Sequence, residues 1–289
     1  MRLRVISADE EAARLLRSPL TTSRGWSVHA RFERAVILAS GVDGALLSLV
    51  RHNLADGPFT ARLGPDAPRD LRSLDGVPEV DAGSAVTWRP VLVETADAAE
   101  PDEVERRLRQ LGDIARRAGA GARGIHAVAR DGDLQALTRA LSSGNRDAAA
   151  AVARRLAGLG PGLTPSGDDV LAGVLAFSAW GDHAGVLVDG RALRAALRDA
   201  AMPRTTRFAA QMVDAAARGH VFAPLARLLG ALLRRETAGP PDIAPLLAVG
   251  ETSGGDMLTG VVLCGRALLS RGKIASAAGP RVADPAAAA

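Results

Sequence analysis

Hydrophobic and polar positions divide the chain into two parts with different periods. Up to about residue 100 the apolar runs are short. Trp26–Phe32 alternates apolar with polar, Ala35–Ala39 is a continuous apolar run, and Gly44–Val50 follows a Gly/Asp turn. Ala85–Trp88 and Val91–Glu94 add two short strand candidates around Pro90, and prolines 58, 65, 68 and 78 punctuate the stretch between. After Pro101 the period lengthens. Pro101-Asp102-Glu103 opens a helix to about Ala118, with Val104, Leu108, Leu111 and Ala115 as its apolar stripe, and Gly119–Gly124 ends it. Further helices are expected over Leu134–Leu141, Arg146–Ala157, Asp168–Trp180, Arg191–Ala200, Thr205–Ala217, Ala223–Arg235 and Asp256–Ser270. The pattern predicts an α+β protein. A β-rich N-terminal barrel or sandwich (1–100) precedes an α-helical domain (101–272), and a small-residue tail (273–289) is expected to be disordered.

Composition narrows the function classes. The 289 residues are 47% hydrophobic and 24% charged, which suits a globular chain with a sizeable core. The net charge of +4 is small, and aromatics are only 3%, too few for a single-strand stacking surface; no nucleic-acid partner is expected. The apolar runs around Val170–Trp180 and Met257–Leu263 fall short of the ~20 residues of a membrane span, so no membrane partner is expected. The N-terminus has no secretory apolar run and Cys264 is alone, which predicts a cytoplasmic protein without disulfides. Cys264 lies in an apolar helix and reads as core. The five histidines (29, 52, 126, 183 and 220) show no zinc-ligand spacing.

One segment is dense in chemistry: Gly158-Leu-Gly-Pro-Gly-Leu-Thr-Pro-Ser-Gly-Asp-Asp169, followed by an apolar helix. Gly160, Gly162 and Gly167 allow close backbone approach, and Ser166 stands where a helix N-cap belongs. Free N–H groups over Gly162–Gly167, Leu163 included, would attract a phosphate or carboxylate. The segment is no P-loop, because Asp168 and Asp169 stand where that motif needs Lys. Such carboxylates suit a substrate N–H or a divalent cation, so Mg2+ is the candidate cofactor.

Ser253-Gly-Gly-Asp-Met-Leu-Thr-Gly260 echoes Ser166–Gly173 at five of eight positions, 87 residues on. Gly173 and Gly260 each weaken their helices by about 1 kcal/mol relative to Ala. A close helix crossing at both would compensate, and would turn both helix N-termini (Ser166 and Gly167; Ser253, Gly254 and Gly255) toward one pocket. Both copies also fit a simple capping box, Ser166-x-x-Asp169 and Ser253-x-x-Asp256. A third segment, Met202–Phe208, offers Thr205 and Thr206 as caps and Arg204 as an anion clamp.

Residues 160–173 resemble the signature of the AllH-type family. Arg204-Thr-Thr206 and Ser253–Gly260 resemble its secondary motifs, in the same order. One branch of that family is a subunit of oxamate carbamoyltransferase in anaerobic allantoin degradation. The resemblance implies a multi-subunit complex that converts oxamate and carbamoyl phosphate to oxalurate and phosphate, or runs the reverse reaction. With the residue reading it gives an anionic small-molecule substrate, bound by backbone N–H groups, Thr164 and Ser166. Asp168, Asp169 and Asp256 would orient its amide or a Mg2+, and Arg204 would neutralise its charge. Two readings of other classes stand beside it: a non-catalytic binding or assembly module whose loop is a structural knot, and a metal-dependent hydrolase of small amide-bearing acids.

Overall fold

The structure is a computed structural model that describes residues 2–17, 20, 25–130, 132–187, 190–237 and 239–277. The N-terminal region contains β1 (Arg2–Asp9), α1 (Glu10–Leu15), β2 (Trp26–Arg31), β3 (Ala35–Ser40), β4 (Leu46–Val50), β5 (Thr60–Leu63), β6 (Glu79–Asp81) and β7 (Val86–Trp88). The C-terminal region contains α2 (Pro101–Arg117), α3 (Ile125–Val128), α4 (Asp133–Ser143), α5 (Arg146–Leu156), α6 (Ser166–His183), α7 (Arg191–Ala201), α8 (Arg207–Ala217), α9 (Ala223–Leu233), α10 (Ala244–Leu247) and α11 (Ser253–Ala277). The α+β class and the order of the two regions hold.

The strands form one mixed seven-stranded sheet in the order β2-β3-β4-β5-β1-β6, with β7 also pairing with β1. β2, β3 and β4 form an antiparallel meander, while β4 pairs β5 in parallel and β1 pairs β5 antiparallel. β3 and β4 are buried along nearly their whole length because both faces of the sheet are covered. Val36, Leu38, Leu47 and Leu49 join Leu3, Val5 and Ala12 of α1 on one face. Ile37, Ala39 and Leu46 face the helical region on the other, packed against Phe208 of α8 and Leu163 of the Gly-rich loop. Gln211 of α8 bonds both the amide and the carbonyl of Leu46, at 2.9 and 2.8 Å.

β1, α1, β5, β6, α3 and α10 were not expected. β1 carries the alternation in Arg2-Leu3-Arg4-Val5, and its exposed–buried sequence follows the side chains. The segment expected as a strand at Val91–Glu94 joins no sheet. Thr205 and Thr206 precede α8 rather than opening it: Thr206 is the N-cap, its hydroxyl accepting from the Ala209 amide at 3.0 Å. α11 runs to Ala277, so the first residues of the expected tail are helical, and 278–289 lie outside the described residues.

α6 is buried from Ser166 to Gly181, apolar around its whole circumference, and forms the axis of the helical region. α11 crosses it where two glycines meet. A Cβ on Gly173 would run into the Met257 carbonyl and lie 3.1 Å from the Val261 amide; a Cβ on Gly260 would run into the Val170 carbonyl and lie 3.0 Å from the Val174 amide. The contacts are reciprocal under the 87-residue offset, so the sequence echo is a pseudo-two-fold of two crossed helices. Cys264 lies buried beyond the crossing, its thiol pushed up to about 12 by desolvation. The guanidinium of Arg107, buried within α2, caps the end of α9 by donating to the carbonyls of Ala231, Leu232 and Arg234. No described helix is long and apolar enough to cross a membrane.

Candidate functional site

The crossing brings the N-termini of α6 and α11 together. Thr164, just before α6, lies with its Oγ1 3.2 Å from the Ser253 Oγ that begins α11. Both helices start in the same way. The Gly167 amide donates to the Leu159 carbonyl (2.9 Å) and the Gly254 amide to the Val249 carbonyl (3.0 Å). A Cβ at either glycine would collide with the last turn of the preceding helix, at the Leu156 or Leu246 carbonyl. Ser166 and Ser253 are the first helical residues rather than caps; Pro165 occupies the cap position of α6. The Asp169 and Asp256 amides bond the Pro165 and Thr252 carbonyls, so neither capping box closes. The two serines act across the crossing instead. The Ser253 hydroxyl favours ionisation of Asp169, and the Ser166 hydroxyl that of Asp256.

Asp168, Asp169 and Asp256 are all buried, with residue exposures of 2%, 5% and 0%. Burial raises the pKa of each, and raises Asp169 furthest, helped by the neighbouring charges of Asp256 and Asp168. Their oxygens are used differently. Asp168 Oδ2 accepts from the Gly158 amide (2.9 Å) and the Thr205 hydroxyl (2.7 Å), tying the loop to the segment before α8. Asp256 Oδ1 accepts from the Ile125 amide (2.7 Å), at the start of α3. Among the described residues Asp169 receives no backbone donor and its Oδ2 has no hydrogen-bond partner; Asp168 Oδ1 and Asp256 Oδ2 are also unpartnered there. Among the described residues no three His, Cys, Asp or Glu side chains gather to hold a metal ion. Of the acids proposed for Mg2+, Asp168 and Asp256 each give one oxygen to backbone or threonine donors, and each of the three keeps one oxygen without a partner among the described residues.

The loop itself is held from two sides. Leu163 is seated among the sheet residues Ile37, Ala39 and Leu46, while its carbonyl accepts from the Thr206 hydroxyl. Gly158 (φ 75°) packs on the Arg204 carbonyl, where a side chain would have no room. Between these anchors, the amides of Gly160, Gly162, Leu163, Thr164 and Ser166 donate to nothing among the described residues. Gly162 takes φ 92° with open space on its Cβ side. The first turn of α6 is more occupied than expected, since the amides of Gly167, Asp168 and Asp169 are spent on local carbonyls. Arg204 is exposed beside the loop and has no ionic partner among the described residues. At the second N-terminus Gly255 leaves the space that the Gly121 amide fills, 2.7 Å from where its Cβ would be.

Sequence reasoning missed three participants: Gly158, the Gly121–Ile125 turn, and Thr205 in its role as a strut. Gly119–Gly124 was legible only as a helix breaker. Away from the loop, Asp56 pairs with Ser7 and lies 3.5 Å from Arg62, while its carbonyl accepts from the Ala223 amide at the start of α9. Nearby, His220 stacks on Trp88 and lies 3.3 Å from the buried Asp9, whose carboxyl burial pushes up to about 6.

Residues 156–265 match the family model described as oxamate carbamoyltransferase subunit AllH. The matched span begins at the last residue of α5, contains both helix entries and ends just past the crossing. No solved structure matches the chain.

Proposed function

We propose that the chain is a subunit of an oxamate carbamoyltransferase system, and that the loop entering α6 holds carbamoyl phosphate or a closely related small anion bearing an amide. One observation carries this reading. The unpaired amides of Gly160, Gly162, Leu163 and Thr164 lie in the same loop that leads to Asp169, whose buried carboxylate has an oxygen without a donor. The amides and Arg204 suit the phosphate. Asp169 suits the carbamoyl NH2, which can supply the missing donor. In the transfer, the oxamate nitrogen attacks the carbamoyl carbon and gives up one proton, the carbon–oxygen bond to phosphate breaks, and phosphate leaves with the bonding pair and takes up that proton as hydrogen phosphate. Fixed N–H dipoles would stabilise the charge that gathers on oxygen.

Isothermal titration of the full chain with carbamoyl phosphate and with inorganic phosphate tests the assignment. Arg204→Ala should weaken both by about tenfold, the equivalent of ~1.4 kcal/mol. Asp169→Asn should weaken carbamoyl phosphate and leave phosphate nearly unchanged. No binding by the wild type, or equal binding by all three folded proteins, would overturn it. One observation favours the assembly-module reading: Asp168 Oδ2 ties Gly158 to Thr205, as a structural knot requires. In that case the titration shows no binding at all.

A further inference from the structure

The Gly-rich loop has few internal means of holding its shape. Pro161 and Pro165 fix two of its φ angles, but Gly160 (φ 117°) and Gly162 (φ 92°) beside them keep the freedom of glycine. The amides of Gly160, Gly162, Leu163 and Thr164 are bound by no carbonyl among the described residues. Leu163 is the one long apolar side chain between Gly160 and Ser166.

That side chain leaves the loop and lands on the sheet. Ile37 and Ala39 project from the same face of β3, and Leu46 stands opposite Ala39 on β4. All three are buried, and Leu163 packs against them. The seat itself is braced. Gln211 of α8 bonds both the amide and the carbonyl of Leu46, and Arg207 reaches the Ser40 carbonyl at the end of β3 (3.4 Å). Thr206, the N-cap of α8, donates its hydroxyl to the Leu163 carbonyl. Leu163 is thus gripped at its side chain by the sheet and at its carbonyl by the start of α8, with its amide left free.

We propose that the N-terminal sheet is the positioning element of this loop: the seating of Leu163 on Ile37, Ala39 and Leu46 holds the amides of Gly160, Gly162, Leu163 and Thr164 in one arrangement. The side chain faces the sheet, so it acts through the backbone that carries it. Resting on the reading of the loop as an anion site, the consequence is that a sheet distant in sequence sets the affinity. Amides ordered in advance spare the anion the entropy of ordering them.

Calorimetry on the full chain with inorganic phosphate and with carbamoyl phosphate tests this, beside 15N relaxation of Gly160 and Gly162. Leu163→Ala should weaken both anions at least about tenfold, and should drop the order parameters of the two glycines from about 0.85 to below about 0.6. Leu163→Met, which conserves volume, should restore affinity and order. Leu163 is only half-buried, and circular dichroism checks that each variant is folded. Ile37→Ala should weaken binding by itself yet add little in the Leu163→Ala background, because the two side chains share one contact. A Leu163 with a merely structural role would lower the melting temperature and leave affinity and loop order unchanged, which overturns the proposal. Additive losses in the double variant overturn it too. If the wild type bound neither anion while Leu163→Ala still loosened the loop, the anion reading would fall and the seating would stand.

Discussion

The entries to α6 and α11 are the same device put to different uses. Each begins Ser-Gly, carries an Asp three residues after its serine, and meets its counterpart at a glycine. At α11 the device is closed. The Gly121–Ile125 turn fills the space beside Gly255 and donates the Ile125 amide to Asp256. At α6 no such turn covers Asp169, and a Gly-Pro-Gly segment with unpaired amides leads into the helix. What an acid does here is therefore decided by the donors that a distant piece of chain brings to it. The closed copy ties its acid to a backbone amide; the open copy leaves loop amides and an Asp169 oxygen without partners among the described residues.

The largest effect should come from the feature the copies share. Gly173→Ala or Gly260→Ala forces α6 and α11 apart, which should cost about 3 kcal/mol, or ~6–12 °C in a thermal melt. If either variant melts like the wild type, the crossing is not what joins the two halves.

Next in size is the difference between the acids. Asp256→Ala strips the Ile125 amide of its acceptor and should cost about 1–3 kcal/mol in denaturant unfolding. Asp169→Ala should cost less, because no backbone donor is orphaned. A pH series sharpens this contrast. The folded pKa of Asp169 lies above its unfolded value, so the native state binds the extra proton between the two. Its contribution to stability is fully present below the unfolded value of about 3.8 and is lost as pH rises through the folded one. Asp169→Asn should remove that decline, giving a flatter stability–pH curve than the wild type. An unchanged slope would place the carboxylate in water.

The smallest effect concerns the hydroxyls between the entries. Ser253→Ala should raise the pKa of Asp169 further while lowering stability by only about 0.5–1.5 kcal/mol, measured by titration of the carboxyl carbon and by melting. A fall in that pKa would mean that the serine does not face Asp169.

Much of the helical region was legible in the sequence. Breakers and apolar stripes placed α2, α4, α5, α7 and α9 within a few residues of their bounds, and two otherwise costly glycines pointed to the crossing. The sheet was harder to read. β1 pairs with three other strands, yet its short alternation has no turn signal before it, and β5 takes one of its two partners, β1, from far back in the chain. In the site, the Gly-rich loop and its acids stood out. Their division of labour did not, because the Ile125 donor comes from 131 residues away and the Thr205 strut from 37. Local sequence marks where a carboxylate is; only the folded chain determines who answers it.

The glycine crossing also sets a ruler. In each helix the serine and the crossing glycine are separated by two turns, and the acid by little more than one. Residues can be added or removed between Gly173 and Ser253, in the loops that join the intervening helices, without disturbing that measure. A single residue inserted between Asp169 and Gly173 would swing the helix's opening by about 100° about its axis. Asp169 would then point away from Ser253, with the number of residues in the rest of the chain unchanged.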